Sequence, residues 1–230
     1  MSPQNPQPAT PGSENYYVAR PQSGQGRGVL VLHAWWGFNQ FCRTFCDRLA
    51  QEGFVALAPD LYHGATAATI EEAKKLRGKL KQETVAAEIT RAAEHLRAIC
   101  GAGQIGVVGF SLGGYLALWL ADQQASPVAA TVVFYASRNG DYIASPSAFQ
   151  FHLAETDDYV AASGVKKMQK SLQTAGKEAE FYTYAGTTHW FFESDRADAY
   201  DAPAAELAWR RTIEFLHKTL NRMMCQQSEI

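Results

Sequence analysis

The sequence predicts an α/β fold in which a mostly parallel sheet is covered by helices on both faces. Three observations lead there. Strand-like and helix-like segments alternate along the chain, the middle strands are near-continuous apolar runs, and no internal repeat or linker breaks the series. Parallel strands buried on both faces have this uninterrupted apolar character, whereas half-exposed strands alternate. At 230 residues the chain is long enough for one large domain with a substantial core. Residues 14–230 are read as that single domain. Residues 1–13, rich in Pro, Gln, Asn and Ser and without an apolar segment, are read as a disordered tail and not a signal peptide.

The elements follow in order. Tyr16–Arg20 reads as a short edge strand, and Gly24, Gly26 and Gly28 turn the chain into a buried strand, Gly28–His33. A helix runs from about Phe41 to Gln51 and ends at Gly53, a residue suited to the left-handed conformation that stops helices. Phe54–Ala58 is a strand closed by Pro59-Asp60, and helices fill Ile70–Lys81 and Thr84–Ile99. Gln104–Val108 is a buried strand, and Tyr115–Ala121 is a helix that is apolar nearly all round. Val128–Tyr135 and Phe149–Leu153 are strands, Gly164–Thr174 a helix, and Ala179–Tyr184 the last strand. Ala204–Asn221, opened by Pro203, is a long amphipathic helix.

Composition narrows the function. Lys plus Arg number 21 against 23 Asp plus Glu, so no charge excess points to nucleic acid or an anionic membrane surface. The basic run Lys74–Lys81 follows Glu71-Glu72 at helical spacing and reads as a solvated helix face. No stretch approaches the ~20 apolar residues of a membrane span. Cys42, Cys46, Cys100 and Cys225 show neither C-x-x-C nor disulfide-framework spacing. Cys42 and Cys46 share one helix face as buried free thiols, since no His or carboxylate completes a metal set. These features favour a reducing cytoplasm, and they leave monomer and homodimer open.

The chemistry is concentrated in Gly109-Phe110-Ser111-Leu112-Gly113-Gly114, which lies between a predicted strand and a predicted helix. A G-x-S-x-G pattern at such a junction is the nucleophile elbow of α/β-hydrolases. Small residues at Gly109 and Gly113 let strand and helix approach, and the turn lifts the Ser111 hydroxyl clear of the sheet. The helix N-terminus then points partial positive charge at a developing oxyanion. A serine hydroxyl needs a base. Of the six histidines, His189 alone stands just after the last strand. His95 and His217 fall on helices, His63 in a loop, and His152 inside a strand as a satisfied interior residue. A carboxylate should follow the strand before the final β/α unit, where Asp157 and Asp158 stand with Glu155 as a weaker third. Spacing does not separate Asp157 from Asp158. Either gives the order Ser, Asp, His.

These residues, with His33-Ala34-Trp35-Trp36-Gly37, Ala58-Pro59-Asp60-Leu61-Tyr62, Glu155–Val160 and Ala204–Trp209, resemble the dienelactone hydrolase family from Gly28 to Leu220. The resemblance implies an α/β-hydrolase fold and places the triad on Ser111, Asp157 and His189. It also implies an oxyanion hole made by the backbone N–H groups of Trp35 and Leu112. The substrate would be a small ester or lactone, cleaved by side chains and backbone donors with no metal or organic cofactor. An apolar, aromatic pocket is expected, walled by some of Trp35, Trp36, Phe38, Phe110, Tyr135, Trp190 and Phe191.

Departures from the family pattern matter as well. Members usually carry cysteine at the elbow, tuned by a glutamate where this chain has Ala34. Here a serine stands instead, and a further buried carboxylate would carry a desolvation cost. Dienelactone hydrolase itself has an arginine four residues beyond the histidine, where this chain has Glu193. Arg196 is the nearest arginine, and Arg138, in the loop after the Tyr135 strand, is a candidate substitute cation that is read first as a surface residue. The expected substrates are therefore small, uncharged or aromatic esters and lactones. A peptidase, thioesterase or acyltransferase, or a binding protein on the same fold, would share much of this pattern.

Overall fold

The computed structural model describes residues 16–101 and 103–227, with side chains described as far as residue 221. The tail expected over residues 1–13 and the Cys225 side chain lie outside the described residues. Among the described residues, seven strands form one sheet: β1 (Tyr16–Ala19), β2 (Arg27–Leu32), β3 (Phe54–Pro59), β4 (Ile105–Phe110), β5 (Val128–Phe134), β6 (Ala148–Ala154) and β7 (Ala179–Tyr184). Their order is β1-β3-β2-β4-β5-β6-β7. Only the edge pair β1–β3 is antiparallel. All other pairs are parallel. The fold is that of an α/β-hydrolase.

Among the described residues, six helices cover the sheet: α1 (Gln40–Gln51), α2 (Ile70–Lys79), α3 (Gln82–Cys100), α4 (Leu112–Ala121), α5 (Ala162–Thr174) and α6 (Ala202–Gln227). The alternation of β2 shows the two layers. Val29 and Val31 join one core cluster with Phe45 of α1 and Leu216 of α6. Leu30 and Leu32 face the opposite layer with Ile89 and Leu96 of α3. A strand buried on both sides has no reason to alternate in polarity, which is why these segments read as unbroken apolar runs.

Boundaries shift where a cap or a close contact overrides propensity. Helix α1 starts where the Asn39 side chain accepts from the Cys42 N–H at 3.2 Å. Helix α2 opens on a capping box of Thr69 and Glu72. It stops at Lys79, two residues short of the expected end, because Leu80 turns extended. Helix α6 begins two residues early, with Asp201 accepting from the Ala204 N–H at 2.9 Å. Helix α4 begins at Leu112 and so includes Gly113 and Gly114, poor helix formers in isolation. Packing explains both: a Cβ on Gly113 would overlap the Leu32 carbonyl, and one on Gly114 would lie 2.8 Å from the Ala136 Cβ. Strands β2, β4, β5, β6 and β7 all deliver their carboxyl ends to one edge, where sites in such sheets form.

Candidate active site

Ser111 follows β4 directly and holds φ 50°, ψ −109°, a left-handed backbone that a non-glycine residue adopts only under constraint. The constraint comes from both sides. Its N–H donates to the Phe134 carbonyl at 3.0 Å, and a Cβ on Gly109 would overlap the Gly113 carbonyl. Two further non-glycine residues at this edge share a positive φ, Tyr135 at 37° and Trp190 at 69°.

The Ser111 Oγ lies 2.9 Å from His189 Nε2. His189 Nδ1 in turn lies 2.8 Å from Asp157 Oδ2 and 2.9 Å from Oδ1. A carboxylate only accepts, so Nδ1 carries the proton and Nε2 accepts from the Ser111 hydroxyl. The same Asp157 Oδ1 accepts from the Tyr159 and Val160 N–H groups, each at 2.9 Å, which fixes the carboxylate plane. Asp158 is exposed and stays away from the imidazole. Glu155 instead accepts from the Gly186 N–H at 2.9 Å, and Thr156 N–H donates to the Thr187 carbonyl at 3.1 Å. Those two bonds tie the acid loop to the histidine loop. The arrangement can take a proton from a hydroxyl and stabilise the resulting imidazolium.

The site opens on a cavity of about 570 Å³. Ser111, Leu112, His189, Trp35, Tyr135 and Tyr159 line its inner end, while Leu80, Val85, Tyr115, Leu116 and Trp119 line its extension. Five of the expected wall residues are not there. Trp36, Phe38, Phe110, Trp190 and Phe191 are buried in the core behind it. Phe110 is the last residue of β4 and shares a face with Val108, so it packs against Phe41, Phe45 and Phe134. Trp190 supports the wall from behind, 4.7 Å from the His189 ring and 5.9 Å from Trp35 between ring centroids. The two adjacent tryptophans are the central residues of a turn closed by the Gly37 N–H on the Ala34 carbonyl at 3.2 Å, and they divide, with Trp35 on the cavity and Trp36 inside.

The other histidines stand apart from this site. His63 is exposed beside Glu88, His95 touches Tyr16, and His217 packs on Phe54. His152 is fully buried, bonded to Tyr184, Gln150 and Thr212, and desolvation lowers its pKa to about 3.

The charged residues correct the expectations drawn from the sequence. Arg138 is a cavity residue rather than a surface one, and Asp122 holds it at 2.7 Å. Arg196 lies over the Trp36 ring at 4.3 Å. A further buried carboxyl is present after all, in Glu193, which is 1 % exposed. Desolvation raises its pKa to about 8, and it accepts from the Tyr135 hydroxyl at 2.8 Å.

The sequence pattern does not single out His33 either. Its Nδ1–H donates to the Ala34 carbonyl at 2.6 Å and its Nε2 accepts from the Leu61 N–H at 3.2 Å. Burial keeps it neutral, so it pins the Trp35 loop to the end of β3. Tyr159 is the other residue missed, with its ring 4.9 Å from His189 and only its place two residues after Asp157 as a signal.

The profile of the dienelactone hydrolase family matches residues 15–220. The chain belongs to this family. A protein of Aquifex pyrophilus named "Protein usf" is 33% identical over 217 residues, covering 89% of this chain and 93% of its own. A protein of Aquifex aeolicus named "Putative carboxymethylenebutenolidase" is 32% identical over 212 residues, covering 86% of this chain and 90% of its own. The solved structure of P91, a dienelactone hydrolase-like promiscuous phosphotriesterase from metagenomic libraries, shares the fold with a TM-score of 0.74. It is 21% identical and covers 89% of this chain and 92% of its own. The dienelactone hydrolase family is one of ester-cleaving hydrolases. No helix among the described residues is long and apolar enough to cross a membrane.

Proposed function

We propose that this dienelactone hydrolase family member is a serine-dependent hydrolase of carboxylic esters or lactones that works through an acyl-enzyme on Ser111. The observation that carries the reading is the relay from Ser111 Oγ to His189 Nε2 at 2.9 Å and from His189 Nδ1 to Asp157 at 2.8 Å, opening directly on a cavity. Ser111 Oγ attacks the ester carbonyl carbon while its proton passes to His189 Nε2. Asp157 orients the imidazole and stabilises its cationic form without taking the proton.

The tetrahedral oxyanion is received by the Leu112 and Trp35 N–H groups. Leu112 opens α4, where the first N–H groups have no intrahelical acceptor. No turn or loop hydrogen bond among the described residues uses the Trp35 N–H, and Trp35 lines the same cavity. His189 then protonates the leaving alcohol, and water activated by the same base releases the acid.

The test is hydrolysis of p-nitrophenyl acetate and butyrate by wild type, Ser111→Ala and His189→Ala. Each variant should lose several orders of magnitude in kcat, up to about 10⁶ by comparison with a well-studied serine triad. Ester turnover that survives in Ser111→Ala would sink the reading.

A further inference from the structure

Helix α4 is apolar on both faces, yet only one of them packs on the sheet. Gly113, Gly114, Ala117, Leu118, Leu120 and Ala121 are buried. Leu112, Leu116 and Trp119 are partly exposed, and Tyr115 is 48% exposed. Those four stand at positions i, i+3, i+4 and i+7, so they form one stripe along the outer face. Leu116 and Trp119 also pack against the cluster that holds Val85 and Leu120, while a helix face that met only water would be polar. This stripe starts beside the Ser111 hydroxyl and runs roughly 10 Å along the axis at 1.5 Å per residue.

A second wall faces it. Leu80 and Val85, from the junction of α2 and α3, line the same cavity as Ser111, His189 and the α4 stripe. Helix α2 ends at Lys79 with Leu80 extended, and that early stop puts Leu80 in the wall. No Asp or Glu contributes to the lining among the described residues. Arg77, Gln82, Ser137 and Arg138 supply its polar lining, with Arg138 already paired to Asp122 at 2.7 Å, and the rest of the trough that begins at the nucleophile is aliphatic and aromatic. Its volume falls in the range of pockets that enclose a whole small molecule.

We infer that the trough between α4 and the α2–α3 junction binds an extended apolar arm of the substrate, an alkyl chain or aryl group attached to the ester, with Trp119 as its far wall. This rests on the reading of Ser111 as nucleophile. It also means that the best substrates are larger than the short esters used to detect activity.

Two homologous series test it, p-nitrophenyl esters from acetate to octanoate and alkyl acetates from methyl to octyl. In at least one series kcat/KM should rise about fourfold per methylene, the factor for burying one CH₂, until the arm passes Trp119. The series that rises identifies whether the acyl or the alcohol half occupies the trough. Trp119→Gln, and separately the exposed Tyr115→Ser, should lower the ratio of long to short substrate by roughly tenfold.

Flat series whose turnover still vanishes in Ser111→Ala would overturn the trough and leave the serine mechanism standing. Flat series together with a dimer dispersed by Tyr115→Ser would reassign the face to a second copy of the chain. If wild type turns over no ester, the serine reading fails, and calorimetric binding of 2-decanone against 2-butanone still judges the trough. The long ketone should bind more tightly and lose that advantage in Trp119→Gln, whereas equal binding of the two overturns the inference.

Discussion

The Tyr135 hydroxyl donates a 2.8 Å hydrogen bond to the Glu193 carboxyl, and both residues are shut off from solvent. The Tyr135 ring also lies 4.8 Å from the His189 ring, so the pair forms the floor beneath the imidazole. Burial raises the Glu193 pKa from 4.5 to about 8 and pushes the Tyr135 phenol well above its ordinary value. At neutral pH Glu193 is therefore largely a neutral acid in the fold and an anion in the unfolded chain.

The sign of the linkage follows. The native state binds one more proton than the unfolded state between the two pKa values, so this group's contribution is full below pH 4.5 and is lost as pH rises through about 8. The slope reaches at most ~1.4 kcal/mol per pH unit. Urea denaturation at several pH values from 5 to 8.5 should show wild type losing stability relative to Glu193→Gln as pH rises. Parallel curves for the two proteins would contradict the assignment.

Asp157 and Asp158 are adjacent, but only Asp157 reaches the imidazole. Asp157→Asn should cost about 10⁴ in kcat, because an amide at that position favours the wrong tautomer. Asp158→Asn should stay within twofold of wild type. Steady-state ester kinetics on the two variants checks this, and the reverse pattern would move the acid to Asp158.

At the elbow, a Cβ on Gly113 meets the Leu32 carbonyl, and the His33 carbonyl oxygen at 2.7 Å. These are backbone atoms of β2 and the loop that follows it. Gly113→Ala should destabilise the protein by about 3 kcal/mol or more. Gly78, in the exposed last turn of α2, has nothing within 4 Å of where an added methyl group would sit. Gly78→Ala should stabilise by about 1 kcal/mol through helix propensity. Thermal and urea denaturation of the two variants should therefore move in opposite directions.

Thiol chemistry gives a separate check. Cys42 and Cys46 are buried, and desolvation raises both thiols well above their ordinary range. N-ethylmaleimide should leave ester hydrolysis within twofold of the untreated rate, with both residues modified only after unfolding. Stoichiometric inactivation of the native protein would point to a reactive thiol at the site.

The sequence carries some parts of this site and not others, for a physical reason. Ser111 is legible because the elbow is a motif of five consecutive residues, even though the contact that requires Gly113 comes from the distant Leu32 carbonyl. His189 is legible because it follows the last strand. The pocket walls are not. Phe110 reads as a lining residue from its place beside Ser111, but neighbouring strand residues point to opposite faces, and its ring belongs to the α1 side. The trough brings Leu80 and Val85 against Leu116 and Trp119, a pairing made by the crossover between β3 and β4. No spacing along the chain encodes it. Glu193 is four residues from His189, but that interval does not say that the loop turns its carboxyl inward to Tyr135.

The central claim is that Ser111 is the nucleophile. The most direct measurement is intact-mass and peptide-mapping analysis after treatment with a fluorophosphonate, which transfers its phosphonyl group to an activated serine with loss of fluoride. One adduct per chain is expected, located on Ser111, absent in Ser111→Ala and formed far more slowly in His189→Ala. A folded wild-type protein that takes no adduct, or takes it on another residue, would contradict the claim.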